Sequence, residues 1–259
     1  MFRKLLLTLA AAFALTVPAF AEDDPQLAKI ANMPAGELDV FMSGIASAVN
    51  QDTLKLRNFA QTNDCLDLVR AANSFALGYT YLGAGRDAAK KLDGKDGPRL
   101  QVKAIQIRVT TFAARVRAEE WLTRRCRDYT PPAEYADDPR YAVPARVTNP
   151  EYTEAVVEAR QVAETNLAIA VNAGISGKCP EVVAARQNIS LLLPYIQKLL
   201  TDTARRPQVL GPRASRRGLE VSRRQLEAAL DKLQTEFSQK CQSPKTQAAP
   251  APSERQPAQ

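Results

Sequence analysis

Cys65 and Cys126 stand 61 positions apart, Cys179 and Cys241 stand 62 apart, and the 259-residue chain has no other cysteine. Two intervals so nearly equal point to an internal repeat, which constrains the fold more than any composition figure. A shift of 114 positions superposes Cys65 on Cys179 and carries Gly97-Pro98-Arg99 onto Gly211-Pro212-Arg213. The same shift matches Glu37 with Glu151, Asn58 with Asn172, Val69 with Val183, Leu77 with Leu191 and Tyr81 with Tyr195. A one-residue adjustment then aligns Arg108 with Arg223 and Cys126 with Cys241.

Hydrophobic spacing makes the repeat helical. Leu38, Phe41, Met42, Ile45, Val49, Leu56 and Phe59 recur at three- and four-residue steps, and Tyr152, Val156, Ala159, Ala163, Leu167 and Ala170 are their counterparts. Second stripes follow the first cysteine of each copy, and third stripes precede the second, made of Val102, Ile105, Val109, Phe112, Val116 and Leu122 in one copy and Leu219, Leu226, Leu230, Leu233 and Phe237 in the other. No segment alternates with period two over a useful length. The expected fold is therefore all-α, with two tandem three-helix units over 22–126 and 151–241 giving six long helices. Polar turns at 93–98 and 207–212 carry the Gly and Pro residues that reverse a chain. Pro194, inside the second helix of the second unit, is expected to kink or split it.

This layout gives the cysteines a geometric role. In each unit one cysteine opens the second helix and the other closes the third, and each of these helices runs for roughly 26 residues, about 39 Å. Folded as a hairpin, the open ends meet, so Cys65–Cys126 and Cys179–Cys241 are the expected disulfides, each acting as a structural clamp.

An oxidising compartment fits the N-terminus. Arg3 and Lys4 precede an apolar run over 5–17, then Pro18 and Ala19-Phe20-Ala21, the pattern of a signal peptide over 1–21 with cleavage after Ala21. Loss of Arg3 and Lys4 takes the formal charge from +7 to +5. The expected location is the bacterial periplasm or the extracellular medium. Residues 22–26 are expected to fray. The stretch 242–259, rich in Pro, Ala, Gln and Ser, reads as a disordered tail.

Between the units, 127–150 forms a connector with Pro131, Pro132, Pro139, Pro144 and Pro150, which forbid one continuous helix. Its Tyr129, Tyr135 and Tyr141 are candidates for a docking strip, since tyrosine serves well at partner surfaces. Arg205, Arg206, Arg213, Arg216, Arg217, Arg223 and Arg224 surround the second hairpin turn and are the candidate contacts for an anionic surface or partner. A second group, Arg115, Arg117, Arg124, Arg125 and Arg127, is partly offset by Glu119 and Glu120. Export turns the arginine reading away from nucleic acid and toward lipid head groups, lipopolysaccharide phosphates and cell-wall carboxylates.

The chain has no histidine, which removes imidazole-dependent nucleophile systems and histidine zinc sites. No metal-ligand spacing, phosphate-cradling loop or haem attachment motif is present, so no cofactor is expected. The candidate carboxylate pairs for hydrolysis are Glu119 with Glu120, Asp137 with Asp138, and Glu154 with Glu158. The first pair diverges on a helix, the second lies in the connector, and the third reads as an ordinary polar face near a helix N-terminus. The sequence thus points to an exported, non-enzymatic binding or adaptor protein of the envelope. The alternative is a carrier or chaperone with an apolar pocket near Tyr81, Leu193, Tyr195 and Ile196, and a carboxylate enzyme is the remaining reading.

Overall fold

The computed structural model describes residues 24–205 and 214–241, and among them every regular element is helical. The expected signal peptide, the turn at 207–212, Arg206, Arg213 and the expected tail lie outside the described residues. In chain order the helices are α1 (Pro25–Ala31), α2 (Ala35–Thr62), α3 (Cys65–Ala89), α4 (Asp96–Arg125), α5 (Asn149–Ser176), α6 (Cys179–Arg205) and α7 (Arg216–Glu236). A π-helical turn, Phe237–Cys241, follows α7. No helix among the described residues is long and apolar enough to cross a membrane.

The short α1 corrects the expectation of fraying for 24–26, while residues 22 and 23 lie outside the described residues. Asp24 accepts the Gln26 N–H at 2.9 Å, and Pro25 stands at the first helical position, where its missing N–H costs nothing. The Tyr81 hydroxyl donates to Asp24 at 3.0 Å, and Ile30 is fully buried. Seven residues are too few to display a helical period, so hydrophobic spacing does not reveal this element.

Boundaries of the longer helices follow from local chemistry. Asn63 ends α2 in the left-handed region (φ 55°), and Asp64 caps α3 by accepting the Leu66 and Asp67 N–H groups at 3.0 and 3.3 Å. Gly177 ends α5 in the same region (φ 62°), two residues before α6 begins at Cys179. Helices α2 and α5 both span 28 residues, and the shift of 114 carries Ala35 to Asn149, Thr62 to Ser176 and Asn63 to Gly177. Disulfides join Cys65 to Cys126 and Cys179 to Cys241, with Cα–Cα distances of 5.7 and 5.6 Å.

Two details differ from the sequence pattern. Gly97 and Pro98 belong to the first turn of α4 rather than to the reversal before it. There a Cβ on Gly97 would lie 2.5 Å from the Leu92 carbonyl oxygen and 2.9 Å from that of Ala89, so the glycine permits two backbones to touch. Pro194 leaves α6 unsplit: the helix runs from Cys179 to Arg205, and both Pro194 and Ser190, whose carbonyl lacks its usual donor, lie on an exposed face.

Apolar stripes converge on two cores. Leu38, Met42, Phe59, Phe75 and Leu100 belong to the core formed by α1 to α4. The second unites Val156, Val182, Ile189, Leu219 and Leu226 of α5 to α7 with Tyr79, Ile105, Val109 and Phe112 of α3 and α4. The two halves therefore share a packed seam, where Phe112 meets Tyr152 edge-on at 5.1 Å.

Candidate functional site

The seam carries an ionic cluster where the sequence pattern alone suggests an ordinary polar helix face. Arg108 on α4 is 4% exposed and Glu158 on α5 is 2% exposed, so neither charge is a surface group. Arg108 donates to both oxygens of Glu154 at 2.9 Å and also to Glu158, while its Nε–H reaches the Tyr79 carbonyl at 3.0 Å. Arg86 on α3 donates to Glu154 at 2.8 Å and Glu158 at 2.5 Å. The Arg108 guanidinium lies 4.0 Å over the Tyr79 ring, and a Cβ on Gly83 would come within 3.3 Å of its Cζ, so small size at that position admits it. Hydrogen bonding to Arg108 pulls the Glu154 carboxyl down to about 2, whereas burial pushes Glu158 above its ordinary value despite both guanidiniums.

Further ion pairs extend this seam. Arg115 of α4 donates to Glu151 at 2.5 Å, and Glu151 also accepts the Thr148 N–H at 2.7 Å in a capping box that starts α5. Glu119 accepts the Val147 N–H at 2.8 Å, and Glu120 pairs with Lys198 at 3.1 Å and Arg205 at 3.5 Å. Asp138 pairs with Arg140 at 2.5 Å in the connector. Glu154 and Glu158 thus form an ionic joint with Arg86 and Arg108 in which Glu158 Oε2 has no hydrogen-bond partner, and Glu119 and Glu120 anchor separate elements. No group of three or more His, Cys, Asp or Glu side chains among the described residues could hold a metal ion.

Of the connector tyrosines expected as a docking strip, Tyr141 is buried, whereas Tyr129 and Tyr135 are half-buried. Tyr141 is 8% exposed and stacks on Tyr135 at 4.2 Å, and the Tyr129 hydroxyl donates to the Tyr141 carbonyl at 3.3 Å. Asn73 of α3 donates to the Arg140 and Ala142 carbonyls at 3.1 and 2.8 Å, which pins the connector to the first half. The residues expected near an apolar pocket, Tyr81, Leu193, Tyr195 and Ile196, divide between the two cores. Tyr81 packs in the first core, and the other three belong to the second.

Of the predicted arginine group, α6 and α7 bring Arg205, Arg216 and Arg223 to one open cleft of about 320 Å³, with Gln197, Thr201 and Glu220 beside them. Ser215 caps α7 by accepting the Gly218 N–H at 3.1 Å, which sets Arg216 and Arg217 in the first turn, with no acidic residue there. Arg160 of α5, absent from the sequence reading, lies against the same turn, where a Cβ on Gly218 would be 3.0 Å from its Cζ. Four of these arginines have partners: Arg216 with Glu220 at 3.8 Å, Arg223 with Glu227 at 2.5 Å, Arg205 with Glu120, and Arg160 with Glu164 at 3.8 Å. Arg217 and Arg224 are exposed and form no ion pair among the described residues. Comparison with known protein families, curated proteins and solved structures found no match to the chain.

Proposed function

We propose that the protein is an exported, non-enzymatic helical binding protein that attaches to an anionic surface of the bacterial envelope through the arginine end of α6 and α7. One observation carries this reading: the first turn of α7 holds Arg216 and Arg217, no acid, and Arg160 packed against it. A helix N-terminus is already positive, so cations there oppose the macrodipole and weaken the helix unless an anion offsets them. Exposed guanidiniums then engage phosphate or carboxylate groups through forked hydrogen bonds. The rest of the molecule serves as a rigid scaffold, which we read as two copies of a disulfide-clamped three-helix unit, with α1 added to the first. The common length and register of α2 and α5 support the duplication. Two disulfides are compatible with a compartment outside the cytoplasm, and the apolar N-terminal segment supports export to the periplasm or beyond.

Vesicle co-sedimentation tests the reading. Binding is expected to vesicles containing phosphatidylglycerol and not to pure phosphatidylcholine, to fall as salt is raised, and to be lost in the Arg217→Glu/Arg224→Glu variant. Equal binding of wild type and variant, or no preference for the anionic vesicles, overturns it.

A further inference from the structure

A second cleft, sharing no lining residue with the first, lies between the C-terminal half of α4 and residues 143–146 of the connector. Its volume is about 380 Å³, at the small end of the range for small-molecule sites. Three arginines, Arg115, Arg127 and Arg146, face it against one acid, Glu119, whose carboxylate already accepts the Val147 N–H. Arg115 is 6% exposed, held by Glu151, and its Nε–H has no hydrogen-bond partner. Arg127 and Arg146 are exposed and form no ion pair among the described residues. Leu122, Val143 and Pro144 give the cleft an apolar side, and Val143 is 56% exposed although it is a large aliphatic residue.

Both unpaired arginines spring from anchored backbone. Arg127 follows Cys126, which is buried and disulfide-bonded to Cys65. Arg146 precedes Val147, whose side chain is buried and whose N–H is held by Glu119. An anchored backbone beside an uncovered aliphatic wall confines the freedom lost on binding to the two side chains themselves.

We infer that this cleft binds a small amphipathic anion, with its carboxylate or phosphate head between Arg127 and Arg146 and a short aliphatic body against Val143, Pro144 and Leu122. Arg115 supplies positive potential from the floor, and Glu119 disfavours a cationic ligand. The site is independent of the arginine end of α7.

Isothermal titration of the exported, disulfide-intact protein tests it, with octanoate and octyl phosphate as probes and octanol, acetate and inorganic phosphate as controls. Saturable one-to-one binding is expected for at least one octyl anion and for none of the controls. Whichever octyl anion binds more tightly identifies the head group. Arg127→Ala/Arg146→Ala is expected to weaken binding at least tenfold, and Val143→Ser to weaken it several-fold. Both variants alter exposed side chains, so their thermal midpoints are expected to match the wild type. Arg217→Glu/Arg224→Glu is expected to leave octyl-anion binding unchanged, which separates this site from vesicle attachment. Equal affinity for octanol, no binding of either octyl anion, or undiminished binding by the double alanine variant overturns the inference.

Discussion

Arg108 of α4 and Glu154 of α5 form a two-pronged ion pair across the middle of the molecule, Nη1 to Oε1 and Nη2 to Oε2, each at 2.9 Å. The pair joins the two halves at a point where apolar residues from both already meet. Its neighbours Arg86, Glu158 and Tyr79 make it a network rather than a single bridge. Burying the Arg108 and Glu158 charges is costly, and their pairing with each other and with the half-buried Arg86 and Glu154 offsets that cost. The seam therefore specifies how the halves dock more than it adds net stability.

Removing one cation should expose that cost. Arg108→Met leaves Glu158 buried with Arg86 as its remaining cation, and a loss of about 3–5 kcal/mol is expected, as for a broken buried pair. Arg108→Met combined with Glu158→Met removes both buried charges and should recover much of that loss. Urea unfolding of the wild type, the single variant and the double variant measures both steps. A single variant within about 1 kcal/mol of wild type would show that Arg108 does not carry the seam.

Acid should act on the same joint, with opposite signs for its two carboxylates. Glu154 is pulled down to about 2 in the fold, so its stabilisation is present above its ordinary value of 4.5 and is lost as pH falls from there toward 2. Glu158 is pushed up by burial, so its ionisation costs stability as pH rises through its folded value. Glu154→Gln is thus expected to lower stability at neutral pH and to flatten the decline from roughly pH 4.5 to 2. Glu158→Gln should keep that acid decline. Urea midpoints near pH 7, 4 and 2.5 for each variant distinguish the two roles.

The long helices were legible in the sequence because Leu38, Phe41, Met42 and Ile45, like Tyr152, Val156 and Ala159, repeat with the period of a buried stripe. The buried seam was not. Glu154 and Glu158 look like a solvated face because the residues that pair with both and bury Glu158, on α3 and α4, are distant in sequence. A signal was nevertheless available: carboxylates at i and i+4 repel on an exposed helix, and Arg108 falls among Ile105, Val109 and Phe112 on an apolar stripe. Two misfits on separate helices, opposite in charge, satisfy one another. The arginine group near α7 was visible as composition, but Arg160 reaches it only through tertiary packing. The inward turn of Tyr141 likewise depends on Asn73, which holds the connector backbone.

The disulfides close loops of 61 and 62 residues by sequence separation, and each is expected to stabilise the fold by roughly 4 kcal/mol through restriction of the unfolded chain. Cys65→Ser/Cys126→Ser and Cys179→Ser/Cys241→Ser should each lower the urea midpoint. The first should also weaken octyl-anion binding, since Cys126 anchors Arg127, whereas the second should not. A variant pair with equal effects on that binding would show that the disulfide does not position Arg127.

Glycines at two helical positions should respond to alanine in opposite directions. On Gly97 a Cβ would press at 2.5 Å on the Leu92 carbonyl oxygen, a backbone atom that cannot rotate away, so the start of α4 would have to shift. Gly97→Ala is expected to cost about 1–3 kcal/mol. On Gly44, inside α2, a Cβ meets nothing within 4 Å. Gly44→Ala removes backbone freedom from the unfolded chain without a clash and should stabilise by about 0.5–1 kcal/mol. Thermal unfolding of both variants reads the two signs in one experiment. Stabilisation by Gly97→Ala would mean that the turn between α3 and α4 does not pack as tightly as the Leu92 and Ala89 carbonyls imply.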